Sequence, residues 1–413
     1  MAVVPSGTTP PKFALYCNGT NILTRTAPTA QNTVPLETIA ITANGHNAAS
    51  TMSFTHTDPT KAYAIPGGAA LKFVDFLMPA PGEAMFGGTI TSRRPVPQAA
   101  QQGRDTAVTA QDWSANLDRY PASFDLAPSG TTVAAIIGNA SRLLPFDLLL
   151  SLTDTTTIGT QPAWNWVSIR TVIEDCIALA SGVNGAPSAY YVDALKTLRV
   201  FRESAYSIAN VANISDVTPT PAGSMPCSNL ELEYDETGII NYCRVRAADF
   251  KTTVLDSYGA APGAGANYGD TASQLQYGLR KAIIDQPRAT SGTLAYRYAK
   301  SYVLAHKDPI MRGSFDVEGD KCYSIASPHH WAPEMNITIT NAALGLSAAA
   351  FRTSSVTTTW QGGSGIHNHH VTFGGLPPSA LGRIIKGVFH AGHGIHGTVG
   401  LPRHAMSIQG TAT

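Results

Sequence analysis

The sequence predicts a mainly β protein with α+β insertions, on three observations. Short alternating segments bounded by Gly, Pro, Asn and Asp recur through residues 12–119 and again through 311–374, the grammar of small barrels and sandwiches. Between them WVSIRTVIEDCIALASG shifts to steps of three and four, the spacing of a helix face. A second helical pattern, Leu294, Tyr298, Tyr302 and Val303, interrupts the later β region and is ended by Pro309.

Taken in order, the first strands are read in KFALYCNGTNI, TIAITANG, ALKFVDFLMP, GGTITSRRP and DTAVTAQDW, a first all-β unit over 1–119. A proline- and glycine-punctuated stretch follows. In the helix after it, Ile169, Val172, Ile173, Cys176, Ile177 and Ala180 form one face and Gly182 is the expected stop. Two short strands around Asp193 in AYYVDALKTLRVF complete a helix-plus-hairpin α+β insert over 120–204. Residues 204–226, low in charge and rich in Thr and Pro, read as a linker. SNLELEYDETGIINYCRVRA then reads as a β-hairpin. Leu230, Leu232 and Tyr234 alternate with Glu231, Glu233 and Asp235, residues 235–238 supply the turn, and the return arm carries Arg244 and Arg246. A flexible loop in AAPGAGANYGD, a helical insertion around 270–308 and the strands GSFDVEG, MNITITN, FRTSSVTTTW and HHVTFGG make a second all-β unit over 205–375. Residues 376–413 form a C-terminal extension.

A chain of 413 residues, 43% hydrophobic, can bury more than one core. Its 28 basic residues offset 28 acidic ones and charged residues make up only 14%, which argues against tight sequence-independent binding to nucleic acid or anionic lipid. Five cysteines, at 17, 176, 227, 243 and 322, include no C-x-x-C pair, against a disulfide framework or zinc site. The opening residues MAVVPSGTTPPK lack the order of a signal peptide, and the most apolar run, LLPFDLLLSL, contains Pro145 and Asp147. A reducing cytosol and no stable membrane association are the expectation.

Three constellations could carry chemistry. His367 and His369 lie two apart in HNHHVTFGG, so in a strand they share a face and are candidate metal ligands, with His370 opposite; the competing reading is a solvent-facing pair that the structure does not need. His390, His393 and His396 follow at steps of three. The letters H-N-H do not make a nuclease, whose ligands are dispersed over a ββα unit. There is no G-x-S-x-G elbow, Walker loop or dinucleotide fingerprint, so no catalytic residue, enzymatic activity or cofactor is expected. Trp113, Trp164, Trp166, Trp331 and Trp360 offer an alternative, a carbohydrate-binding β-sandwich that stacks sugars of the host surface.

A weak internal repeat relates ITSRR and VTAQD in the first unit to VTTTW and VTFGG in the second. Together with GGTITSRRP…DTAVTAQDWSANLDR, SIRTVIEDCIALASG…YYVDALKTLRVFRES, NLELEYDETGIINYCRVRA, the Gln276-Tyr277-Gly278 step before a Tyr-rich helix ending at DPI, and AAFRTSSVTTTWQGG…HHVTFG, it resembles the baseplate hub or tail hub proteins of long-tailed bacteriophages. The resemblance rests on the order and spacing of these segments and covers the chain to about Gly375.

That resemblance implies two small β-barrels per chain related by pseudo-symmetry, with helix-containing units inserted. It implies a structural virion protein of the tail tip, assembled in the host bacterial cytoplasm. As a homotrimer the chain would join the distal tail protein or hexameric tail tube to tip, spike or receptor-binding proteins, and leave a channel for tape-measure protein and transiently for DNA. The charged strand residues Glu231, Glu233, Arg244 and Arg246, with Arg93 and Arg94 in the first unit, are then the expected assembly-interface residues.

Overall fold

The computed structural model describes residues 13–23, 34–45, 48–58, 65–75, 83–97, 104–122, 131–144, 149–152, 156–158, 164, 166–185, 188–202, 212–215, 224–246, 267–286, 289, 292–318, 331, 333, 335–341, 343–361 and 366–374. The fold is mainly β with a few helices. Cys322, His390, His393, His396 and the C-terminal extension lie outside the described residues.

The first unit is built from β1 (Phe13–Cys17), β2 (Thr20–Asn21), β3 (Ala40–Asn44), β4 (Thr51–Asp58), β5 (Ala70–Asp75), β6 (Glu83–Pro97) and β7 (Arg104–Asp112). They lie in the order β3-β4-β7-β6-β5-β1-β2, every pair antiparallel. Alternation puts Phe13, Leu15, Ile41, Met52, Phe54, Leu71, Phe73, Phe86, Ile90 and Val108 into one core. Strand β4 is absent from the strands expected above. Only Met52 and Phe54 mark its inner face as apolar, and the buried positions that continue it are His56 and Asp58.

The α+β core follows with the two-residue strands β8 (Pro121–Ala122) and β9 (Thr131–Thr132), helix α1 (Val133–Ser141), β10 (Leu149–Leu152), β11 (Thr157–Ile158), β12 (Val167–Ser168), helix α2 (Ile169–Asn184), β13 (Ser188–Val192) and β14 (Thr197–Arg202). Ser168 caps α2 by accepting the Thr171 N–H at 3.2 Å, and Gly185 ends it in the left-handed region at φ 70°. Gly182, the expected stop, is instead an interior residue of α2. A Cβ there would stand 2.4 Å from the Arg297 carbonyl oxygen, so its smallness serves a helix crossing.

The remaining elements are β15 (Ala212–Ser215), β16 (Met225–Pro226), β17 (Ser228–Asp235), β18 (Tyr242–Arg246), β19 (Asn267–Gly269), α3 (Thr271–Tyr277), β20 (Lys281–Asp285), α4 (Gly292–His306), β21 (Ile310–Glu318), β22 (Asn336–Asn341), β23 (Leu346–Gln361) and β24 (Ile366–Gly374). Three expectations are corrected here. The presumed linker contributes β15, which runs parallel to β22, and β16 beside it. The loop in AAPGAGANYGD ends as strand β19. The presumed hairpin does not form: β17 pairs with β21, whereas β18 lies between β19 and β20 in another sheet. The physical reason is burial. Cys243 and Val245 go into the α+β core beside Ile173, Cys176, Tyr298 and Tyr302, and α2 and α4 cover that core together. Leu230 and Leu232 pack instead on the second β unit, around Phe315, Val317, Ile337, Val356, Val371 and Phe373.

Strand order repeats between the two β units. In the first, β4-β7-β6-β5 neighbour one another antiparallel; in the second, β21-β24-β23-β22 do the same. Each set is the first, fourth, third and second of four consecutive strands. The long strands β6 and β23 have 15 and 16 residues, and each returns through a strand of 9, β7 or β24. Both hairpins carry a register shift at the same place, between Ile90 and Ser92 and between Thr353 and Ser355. Aligned on that shift, VTAQD matches VTFGG as the sequence repeat has it, while ITSRR corresponds to TSSVT starting at Thr353, three residues before the VTTTW of the sequence reading.

Candidate functional site

The expected interface residues fall on two separate surfaces. Arg244 and Arg246 sit on β18, where Arg246 forms a bidentate pair with Asp285 across β20 (2.7 and 2.8 Å). They do not face Glu231 and Glu233. Those two project from β17, where Glu233 accepts a fork from Arg312 of β21 at 2.8 and 2.9 Å. This hydrogen-bonded guanidinium holds the Glu233 carboxyl below its usual range, and the Thr237 hydroxyl and N–H do the same for Asp235. Arg312 and Asp285 were not among the expected site residues. Cross-strand partners depend on register, and the register here joins strands 79 and 39 residues apart.

Strand β17 is an edge. Among the described residues its only strand partner is β21. On its outer side Glu231, Glu233 and Asp235 form a row, with Glu231 and Glu233 exposed. A second edge belongs to the far half of β6, where among the described residues the only strand partner is β7. Residues 91–96, including Arg93 and Arg94, are all exposed, and Arg93 donates to the Ile65 carbonyl.

One edge-to-edge joint is already made inside the chain. β3 of the first unit pairs antiparallel with β23 of the second, Ser355 to Asn44 through Thr359 to Ala40, which fuses the two units into a single 14-stranded sheet. At its middle Thr42 Oγ1 and Thr357 Oγ1 are 3.1 Å apart, and at its end the Gly45 N–H donates to the Ser354 carbonyl at 2.9 Å.

The candidate metal pair is buried rather than solvent-facing. His367 and His369 are each 2% exposed. Their rings lie 5.6 Å apart, His367 packs against both Phe13 and Trp360, whose rings also touch each other, and His369 Nδ1 is 2.9 Å from the Thr358 hydroxyl. His370 points the other way, 2.7 Å from Asp316. No group of three His, Cys, Asp or Glu side chains able to hold a metal occurs among the described residues. Of the tryptophans offered as sugar platforms, Trp113, Trp164, Trp331 and Trp360 are buried and Trp166 is exposed. No helix among the described residues is long and apolar enough to cross a membrane.

No family model matches the sequence, and no curated protein does. Solved structures do match. A tail protein from Neisseria meningitidis is similar at a TM-score of 0.60 and 14% identity, covering 89% of this chain and 98% of that one. A 43 kDa prophage tail protein from Shewanella oneidensis is similar at a TM-score of 0.60 and 14% identity, covering 90% and 99%. An Escherichia coli component of the type VI secretion system, described as structurally similar to the T4 tail proteins gp27 and gp5, matches at 0.50 and 13% identity over 87% and 76%. The chain therefore has the fold of phage tail and hub proteins, as the sequence resemblance implies.

Proposed function

We propose that this chain is a structural hub of a bacteriophage tail tip. Three copies join the hexameric tail tube or distal tail ring to a threefold tip and its spike or receptor-binding proteins, and leave an axial passage for tape-measure protein and then DNA. The observation that carries this reading is the repeated strand order: two β units of one topology, joined edge to edge in one chain, let a trimer offer six quasi-equivalent units to a sixfold ring. The fold shared with tail proteins supports it. So does the balance of 28 basic and 28 acidic residues, because a strongly basic channel would retain DNA.

In this reading the units over 1–119 and 205–375 are pseudo-symmetric barrels, and the inserts over 120–204 and 270–308 form a collar with one shared core. The chain works in the virion tail after assembly in the host cytoplasm, without stable membrane association. It has no hydrolase activity on peptidoglycan, peptide or nucleic acid.

Imaging of the purified chain and of labelled tails tests this. A ring of three copies at the tail tip, with both β units at one radius, is the expected result. A monomer or dimer, or β units at clearly different radii, would overturn it. The burial of four tryptophans weighs against the sugar-binding alternative, and glycan binding by the isolated chain would revive it.

A further inference from the structure

The in-chain joint between β3 and β23 has an unused counterpart. The equivalent of β23 is β6, and the equivalent of β3 is β17, since β3 flanks β4 as β17 flanks β21. Thr51 of β4 faces both Gln111 and Thr42, and Arg312 of β21 faces both Gly374 and Glu233. Counted from the shared register shift, Gln111 and Gly374 are equivalent, so Thr42 corresponds to Glu233; by the same count Thr357 corresponds to Arg94. The strands that would complete the counterpart, β17 and the far half of β6, are the two edges described above.

We infer that β17 of one chain adds to the outer edge of β6 in a second copy, antiparallel, with Ser92 opposite Asp235, Arg93 opposite Tyr234, Arg94 opposite Glu233, Pro95 opposite Leu232 and Val96 opposite Glu231. This deepens the hub reading and rests on it for closure at three copies; the strand addition itself rests on the repeated topology.

Charge supports the match. Where the in-chain joint has a Thr42–Thr357 hydroxyl contact, the counterpart places Arg94 against Glu233, with Glu231 and Asp235 on the diagonals. Arg94 would then complete a row of alternating sign across three strands, Arg94, Glu233, Arg312. Like edges reject each other, because β6 on β6 opposes arginines and β17 on β17 opposes carboxylates. Pro95 fits as well. The Gly45–Ser354 hydrogen bond sets the parity of the in-chain ladder, so Thr358, the equivalent of Pro95, directs its N–H toward β3. Pro95 thus points its missing N–H at the open edge, leaving the β6·β7 ladder intact and the added ladder one bond short. Arg94 and Glu233 fall at a non-hydrogen-bonded pair, where opposing side chains approach most closely.

Disulfide trapping in the full chain tests the register. Val96 and Glu231 form the neighbouring non-hydrogen-bonded pair, with an expected Cα separation of about 4.5 Å, inside the range a disulfide spans. Mixing Val96→Cys chains with Glu231→Cys chains under mild oxidation should give cross-linked heterodimers. Val96→Cys with Asp235→Cys, about 13 Å out of register, should not, and neither should the parent chain with its own cysteines. The Val96→Cys/Glu231→Cys double variant should stop at covalent trimers. Arg94→Glu, on an exposed side chain, should keep the parent's circular dichroism, and its melting at dilutions where both are monomeric, while weakening association about tenfold.

A trimer in which the matched pair fails to cross-link and Arg94→Glu has no effect overturns the strand addition and leaves the hub reading standing. A chain that stays monomeric and uncross-linked overturns both. Cross-linking by either single variant alone would replace this joint with a twofold one. A matched ladder that continues past three copies keeps the strand addition and sinks the closed ring.

Discussion

At Gly182 one absent methyl group sets how closely α2 approaches α4. A Cβ would lie 2.4 Å from the Arg297 carbonyl oxygen and 2.9 Å from its carbonyl carbon, backbone atoms that cannot swing aside. Gly182→Ala should lower stability by about 1–3 kcal/mol, read as a shifted urea midpoint with an unchanged slope. Arg170 makes the complementary contribution. From α2 its Nε donates to Asp118 at 2.7 Å, one terminal nitrogen donates to the Tyr190 hydroxyl at 2.9 Å, and the other to the Ser114 carbonyl at 2.7 Å. Its side chain is 9% exposed against 55% for Asp118, so solvent screens the ion pair and the hydrogen bonds to Tyr190 and Ser114 matter most. Arg170→Ala should cost about 2 kcal/mol, with less of it regained by Lys, which cannot form the planar fork. The same melts check both variants.

Among the elements, α4 carries a pH-dependent contact at its end. His306 Nδ1 donates to the Tyr302 carbonyl at 2.8 Å while its ring lies 4.3 Å from that of Tyr302. Burial depresses the imidazole below its ordinary 6.5, against the opposing effect of that hydrogen bond. The unfolded chain therefore takes up a proton first as pH falls. The contribution of neutral His306 is intact above pH 6.5 and is lost as pH drops through and below that value. Denaturant melts at about pH 7.5 and about pH 5.5 should show a loss of stability that His306→Gln reduces. An unchanged difference in the variant would mean that the imidazole is not its source. Strands β17 and β18 teach a different point at this scale. Each reads correctly as a strand, yet 235–238 connect two sheets instead of turning a hairpin, because the apolar residues of β17 and β18 belong to different cores.

For the whole molecule, the proposed joint between copies is made of exposed charges and a short ladder, so its strength should depend on ionic strength. The in-chain joint, a hydroxyl contact within one continuous sheet, should not. Raising salt from about 0.05 M to about 0.5 M shrinks the screening length from about 14 Å to about 4 Å and should weaken trimer formation several-fold while leaving the monomer's melting nearly unchanged. Sedimentation across that range, paired with thermal melts, checks it. Association that strengthens with salt would point to an apolar contact instead and remove Arg94 and Glu233 from the interface.

The sequence by itself determined the mainly β class, helices α2 and α4 though not the shorter α1 and α3, most strands and the family likeness, because alternation, helical spacing and turn residues are local signals. Helix α2, for instance, is legible in Ile169, Val172, Ile173 and Cys176, all of them fully buried. It misplaced what depends on partners distant along the chain. Gly182 looks like a helix stop until Arg297 is beside it, His367 and His369 look like surface ligands until Phe13 and Trp360 pack on His367 and Thr358 holds the buried His369, and β4 is faint because its inner face ends in His56 and Asp58. The candidate interface divided the same way. Arg93, Arg94, Glu231 and Glu233 were legible as charges on strands, but only the tertiary structure decided which strands are edges and that Arg94 and Glu233 hold equivalent places to a pair already joined within the chain. Edges exist only once every other strand has found its neighbour, and that choice is made by burial and hydrogen-bond pairing across hundreds of residues.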